Sequence, residues 1–283
     1  MMIKTIPGHY SRHDLLGMVP EVLRARGWRL YTGKGRLIDL WQYGGRAILG
    51  HNPPGLLRAI KNNAERGLYA PHPHFTEKRF CKALSALLPG FSFLIYVSDA
   101  FLYNAVSAAG IEFVLWRPFL DAKTQADFQP APVLVPVLPC PFPGAPAVLA
   151  YNPQKAGDVP EKLPPSQILS PVTFSAAERC IYDLIAASGR GNPRFSKLEK
   201  AIKKSVHWKR KGIYLFFSPC THKKNDNSSG EADKTYADLF RHFLDAGFLL
   251  PPSTEEPAIL PCELSPGEEA KLAGLFTTVP RSA

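Results

Sequence analysis

The chain has 283 residues, 45% of them hydrophobic and 11% aromatic, and a net charge of +10. That is apolar material enough for one large domain or two smaller ones, as in a soluble globular protein. No run reaches about 18 uncharged apolar residues, and Met1 to Leu16 carries Lys4, Arg12 and Asp14 in place of an apolar signal core, so a cytoplasmic protein is expected.

Taken in chain order, Leu30 and Tyr31 lead into the turn Thr32-Gly33-Lys34-Gly35. Leu37, Ile38, Leu40 and Trp41 follow, which reads as a strand pair. A helix is expected from Gly55 to Glu65, with Leu56, Leu57 and Ile60 on one side. Another runs from Thr76 to Leu88, with Phe80, Ala83, Leu84, Leu87 and Leu88 inward and Pro89-Gly90 as its stop. Apolar strands are expected at Phe91 to Val97, Ile111 to Leu115, Val133 to Leu138 and Ala147 to Tyr151. The stretch from Pro130 to Pro171 holds 12 prolines, Pro136 among them. Proline cannot donate to a ladder, so the last two strands are expected at sheet edges.

Past Pro171, Ser175-Ala176-Ala177-Glu178 reads as a capping box opening a helix that ends near Gly189. A basic helix from Phe195 to Val206 and a strand from Gly212 to Phe217 come next. Lys223 to Gly230 is a polar loop, and a helix from Tyr236 to Ala246 is stopped by Gly247. Ser265-Pro266-Gly267-Glu268 is a second capping box with proline at the first helical position.

Cys81, Cys140, Cys180, Cys220 and Cys262 are odd in number and far apart, which excludes a disulfide framework and a zinc knuckle. His72 and His74 flank Pro73 without a third ligand nearby and read as loop residues rather than a metal site. The positive charge gathers between Arg190 and Lys211. Lys197, Lys200, Lys203 and Lys204 lie off the apolar face of their helix, followed by Lys209, Arg210 and Lys211. This segment is either a solvated face or a surface for nucleic acid or an acidic partner. No nucleic-acid motif accompanies it, and Trp208 is the one aromatic placed to stack on a base.

Both ends of the chain carry a family pattern. Gly27-Trp28-Arg29-Leu30-Tyr31, Gly35-Arg36-Leu37-Ile38-Asp39-Leu40 and Leu49-Gly50-His51-Asn52-Pro53 resemble the N-terminal segment of the class III aminotransferases and glutamate-1-semialdehyde aminomutases. Tyr236-Ala237-Asp238-Leu239-Phe240, then Gly247 to Ser253 and Ser265 to Glu269, resemble the C-terminal domain of the same family. The resemblance covers about two thirds of the chain and is weakest from Ser98 to Pro171.

The resemblance implies an α/β protein of the pyridoxal-phosphate (PLP) transferase type, fold type I. Its reduced large domain would span residues 71–171. Residues 1–70 would pack with a small α/β domain, 172–283. It also implies a homodimer, or a partnership with a true aminotransferase. Seventy-five positions separate Ser98 from Thr173, room for three or four parallel strands with their crossovers and not for seven.

By family position, Ser98-Asp99-Ala100 would hold the PLP phosphate at a helix start, although Asp99 stands where the family has glycine. Asp99 also reads simply as the helix cap. Thr173 corresponds to the threonine that reaches the neighbouring subunit's phosphate. For the Schiff-base lysine, Lys123, Lys155 and Lys162 are available. Gln154-Lys155-Ala156-Gly157-Asp158-Val159-Pro160 echoes the family's lysine, glycine-rich turn and proline, against the plainer reading of Lys155 as a loop residue. Asp99, Asp121, Asp127 and Asp158 are the only aspartates in this region, and none ends an apolar strand as the family's ring carboxylate does. The expectation is a shortened, non-catalytic relative to which PLP does not bind as a Schiff base. An active enzyme using Lys155 is the alternative.

Overall fold

The computed structural model describes residues 10–120, 131–189, 195–205, 207–218 and 228–277. The chain divides into two compact units, residues 1–44 with 192–283, and residues 45–191. No helix among the described residues is long and apolar enough to cross a membrane.

In the first unit, α1 (Arg12–Gly17) precedes β1 (Val22–Arg26), β2 (Arg29–Thr32) and β3 (Gly35–Asp39). The β2–β3 hairpin closes at Thr32↔Gly35, where the Thr32 hydroxyl donates to the Gly35 carbonyl and accepts from the Lys34 amide. β3 pairs in parallel with β10 (Phe248–Leu249), from the other end of the sequence, giving the sheet order β1-β2-β3-β10. At the end of β3 the buried Asp39 carboxylate accepts from the amides of Trp41 and Gln42. This local cap holds a turn in which Gln42 (φ 49°) and Tyr43 (φ 52°) adopt the left-handed region that L-residues avoid. The Gln42 side-chain amide donates to the carbonyl of Ile259, tying the turn to β11 (Ala258–Ile259).

A second sheet has the order β11-β9-β8, with β8 at Trp208–Lys211 and β9 at Tyr214–Phe217. Against it, Trp208 packs with Phe217, Phe243 and Phe276, ring centroids 5.2–6.3 Å apart. Phe243 belongs to α8 (Ser228–Asp245) and Phe276 to α9 (Pro266–Thr277). The basic helix is α7 (Ser196–Lys204); its Leu198, Ala201 and Ile202 are buried, as the amphipathic spacing requires.

In the second unit the sheet order is β4-β7-β6-β5, made of Ser92–Tyr96, Ala147–Tyr151, Val133–Pro136 and Val114–Trp116. β4, β5 and β6 run in one direction and β7 runs against them. One face is covered by α2 (Leu56–Ala64), α3 (Phe75–Leu87) and α6 (Pro171–Ser188), which enclose Phe80, Leu84, Ile95, Val148, Phe174 and Ile181. The other face carries α4 (Asp99–Ala108), which encloses Tyr96, Leu102, Val106, Val135 and Leu149. After β7 and the short α5 (Val159–Lys162), an extended segment lines the free side of β4. The Ile95 amide donates to the Ser166 hydroxyl, Gln167 N–H donates to the Ile95 carbonyl, and Val97 N–H donates to the Gln167 side chain.

Several sequence-based expectations change. β6 and β7 are interior strands, not edges. Pro136 is the last residue of β6, so its missing N–H falls where pairing ends, and the next amide, Val137, donates to the Trp116 carbonyl. The helix expected to begin at Ser175 begins at Pro171, because Ser170 takes the cap and accepts from Thr173 N–H. β8 occupies a stretch read as the continuation of a basic run, and α8 begins at Ser228, inside the expected polar loop. The divisions also fall elsewhere than at residues 70 and 172. α2 and α6 pack together beside α3 in the second unit, because their apolar faces complete one core.

The Ser265 capping box is present, with Glu268 N–H donating to the Ser265 hydroxyl and Ser265 N–H to the Glu268 carboxylate. Glu268 also takes Arg29 at 2.9 Å and Arg36 at 3.0 Å. Burial pushes its carboxyl up, but the Ser265 amide and Arg29 outweigh that and hold it below its ordinary value. A depressed carboxyl stabilises the fold above its unfolded pKa, about 4.3, and that contribution is lost as pH falls through the lower folded value. Glu268→Gln is therefore expected to lower the urea midpoint at neutral pH, with the gap from the parent closing below about pH 4. A gap independent of pH would remove the ionic account.

Candidate functional site

In a sheet of parallel strands, ligands gather outside the carboxyl ends. In the second unit that edge is formed by the ends of β4, β5 and β6 and the beginning of β7. Ser98 lies there, directly after β4, and is the N-cap of α4, its hydroxyl accepting from Phe101 N–H. Asp99 is thus the first residue of the helix and not its cap. The amides of Asp99 and Ala100 are the orphan donors of its first turn. The Asp99 carboxylate is paired with the Arg46 guanidinium, whose side chain is only 16% exposed. Arg46 therefore neutralises the carboxylate at the helix start. The carboxylate that stands where the family has glycine is thus paired rather than bare.

Tyr103 lies one turn along α4 from Asp99 and stacks on Phe113 at 5.8 Å. Burial pushes the Tyr103 phenol up from its ordinary value and the Asp99 charge adds to this, with Arg46 and Arg117 partly offsetting both. Arg46 was not foreseeable as a partner of Asp99, since 53 positions separate them. Tyr103 was readable from its helical spacing.

Thr173 is the third residue of α6. Its hydroxyl accepts from Ser170, which also receives its amide, so the side chain is engaged in the helix cap. Lys155 lies elsewhere. It comes after β7, and the register of β7 against β4 sets Tyr151 opposite Ser92 and Ala147 opposite Tyr96. The chain reaches Lys155 at the amino end of β4, whereas Ser98 lies past its carboxyl end. Four strand steps alone separate these levels by about 13 Å, and both residues lie beyond them. Lys155 is exposed in the turn after β7. Lys162 lies beyond it in α5 and pairs with Asp158 at 2.9 Å, a contact that also lowers the Asp158 carboxyl. Lys123, Asp121 and Asp127 fall outside the described residues.

PLP chemistry needs a lysine, a ring carboxylate and phosphate-holding amides around one small molecule. The amides of α4 would suit a phosphate. Neither described candidate lysine, Lys155 or Lys162, shares their edge, however, and the one described carboxylate among the candidates there, Asp99, is committed to Arg46. The described candidates do not come together around one small molecule. Among the described residues there is also no cluster of three or more metal-ligating side chains.

The basic segment of the first unit is divided between α7 and β8. Arg210 pairs with Glu199 at 2.9 Å and lies over the Phe195 ring, and Trp208 is 5% exposed within the aromatic core. The one aromatic expected to stack on a base is therefore turned inward.

Asp99→Asn is expected to move the Tyr103 titration downward, toward the ordinary phenol value of about 10. NMR of labelled tyrosine, assigned with Tyr103→Phe, measures it. An unmoved Tyr103 would show that the Asp99 charge is not felt there.

No protein-family model matches the chain. In sequence it is 27% identical over 302 aligned residues to an uncharacterised protein of Treponema pallidum (strain Nichols), covering 88% of this chain and 91% of that one. A shorter match, 39% over 67 residues, relates 23% of the chain to an uncharacterised protein of Borreliella burgdorferi. In structure it is similar to ornithine aminotransferase from Plasmodium yoelii, with a TM-score of 0.64, 12% identity and 92% of each chain covered. Ornithine delta-aminotransferase of Plasmodium falciparum gives a TM-score of 0.61 at 12% identity, over 95% of this chain and 97% of that one. Acetylornithine aminotransferase from Elizabethkingia anophelis gives 0.61 at 12%, over 95% and 98%. The chain therefore has the α/β fold of the PLP-dependent transferases of fold type I, with mixed sheets.

Proposed function

We propose that this chain is a non-catalytic homologue of the class III PLP aminotransferases, nearest in sequence pattern to glutamate-1-semialdehyde aminomutase. Its role is structural or regulatory, as a homodimer or as the partner of an active aminotransferase. The observation that carries this reading is the separation of Lys155 from Ser98-Asp99-Ala100 at opposite ends of β4 and β7. One small cofactor cannot reach both, and without a lysine beside its phosphate the internal Schiff base has no anchor.

The association half of the reading draws on exposed apolar side chains. Leu57, Tyr69 and Phe75 are 68%, 67% and 54% exposed, on or beside α2 and α3. Exposed apolar side chains this close together in the sequence suit a protein partner. The expected contact buries more than about 1,000 Å². Light scattering at micromolar concentration is expected to give a mass above the 31.2 kDa of the single chain, either alone or on addition of an aminotransferase from the same cell. A monomer under both conditions would remove the association.

The catalytic half is tested by the absorbance spectrum of the protein with added PLP. Only the weak reaction of any exposed lysine is expected, unchanged by Lys155→Ala. A stable aldimine trapped by borohydride at Lys155 would establish the active-enzyme alternative, and trapping at Lys123 would equally overturn the non-catalytic reading.

A further inference from the structure

The first unit contains a cavity of about 570 Å³ between three of its elements. One wall is β3 with the tip of the β2–β3 hairpin, another is the end of α8 with its turn at Gly247, and the third is the opening of α9. Its volume falls within the range of small-molecule sites, about 300–1,000 Å³. Leu37, Ile38 and Phe248 are buried beneath it, at 7%, 5% and 1% exposure, so the groups offered to a ligand are largely charged.

These charges are unequal. Glu268 is saturated, since its two oxygens already accept from Arg29, Arg36 and the Ser265 amide. Arg36 commits one nitrogen to Glu268 and remains 51% exposed, so its other donors are open to the cavity. Glu268 thereby fixes the guanidinium in place without exhausting it. Lys34, on the hairpin tip, and Lys271, one turn into α9, have no carboxylate partner among the described residues. Asp245 is the one opposing carboxylate on the lining beyond Glu268. The lining thus carries three cations, Lys34, Arg36 and Lys271, against two carboxylates.

We propose that this cavity binds a small molecule carrying two or more negative charges, a phosphate ester or a polycarboxylate, held by Lys34, Arg36 and Lys271. A monoanion would meet one wall only, whereas the cations stand on two. Arg36 supplies a planar fork for paired oxygens and the lysines supply mobile point charges. Asp245 limits the affinity and selects against ligands that press an anionic group toward the end of α8. The site uses no residue of the PLP-type edge, so its fate and that of the non-catalytic reading are separable.

Calorimetric titration of the full chain with sodium pyrophosphate and, separately, with citrate at fixed ionic strength tests the proposal. Saturable binding of either probe is expected, and the one that binds identifies whether phosphate or carboxylate is the source of the charge. The double variant Lys34→Gln with Lys271→Gln, both exposed and therefore tolerated by the fold, is expected to weaken binding at least about tenfold. Asp245→Asn is expected to tighten it by about twofold or more, a gain that a merely structural role would not give. Lys203→Gln with Lys204→Gln removes the same charge elsewhere and is expected to leave binding unchanged. Absence of saturation at millimolar probe would overturn the proposal, as would equal losses in the two double variants.

Discussion

The direction of β7 decides which loops share an edge of the second unit's sheet. A strand inserted antiparallel between two parallel neighbours exchanges the ends of the chain, so the segment entering it lies at one edge of the sheet and the segment leaving it lies at the other. Here Cys140 to Pro146 enter, at the edge shared with Ser98, and Asn152 to Lys162 leave. The approach to β7 contains no lysine, and the departure from it contains Lys155 and Lys162. The described candidates, Lys155 and Lys162, thus lie toward the edge opposite Ser98. No rotamer change repairs that, because the displacement is several strand steps long.

A comparable constraint organises the first unit. Its N-terminal hairpin meets the C-terminal half through the parallel pair β3–β10 and through Leu40, whose amide donates to Leu249 and whose carbonyl accepts from Ile259. The chain can leave β3 sharply only because Asp39 caps the next two amides and supports two left-handed non-glycine residues. Outside this turn, Trp41 donates to Glu256 at 2.6 Å, and Arg12 pairs with the same carboxylate at 2.7 Å while lying over the Trp41 ring. Two acidic residues, Glu256 and Glu268, each join an N-terminal basic group to the C-terminal half. The distant ends of the sequence are therefore held by charge-assisted bonds as well as by a strand pair.

Local signals made much of this legible. The Ser265 box, the stop at Gly247 and the apolar faces of α2 and α3 are short-range features, and each lies where its residues place it. The family pattern at the two ends was also readable, and with it the fold class. What the sequence concealed depends on pairing between distant residues. Pro136 suggested an edge strand, yet its position as the last residue of β6 satisfies the same constraint in the middle of a sheet. The strand Trp208–Lys211 was hidden by its charge, since alternation of buried Trp208 with exposed Lys209 and Lys211 is masked in a run of basic residues. The glycine turn and proline around Lys155 are real local features that say nothing about the sheet edge on which the turn falls.

The fold of the second unit rests on the packing of its sheet and helices. The second unit buries both faces of its sheet, so β6 and the first four residues of β7 are buried throughout. Every side chain there is constrained by packing, where a lost methylene is felt. Loop residues beyond the strand ends join that core as well, Leu138, Cys140 and Ala145 before β7 and Ala156 and Leu163 after it. Asp99, at the start of α4, carries a charge that Arg46 neutralises locally, while α2, α3 and α6 cover one face of the sheet and α4 the other. Packing thus fixes the architecture whichever side chains stand at the carboxyl edge of the sheet.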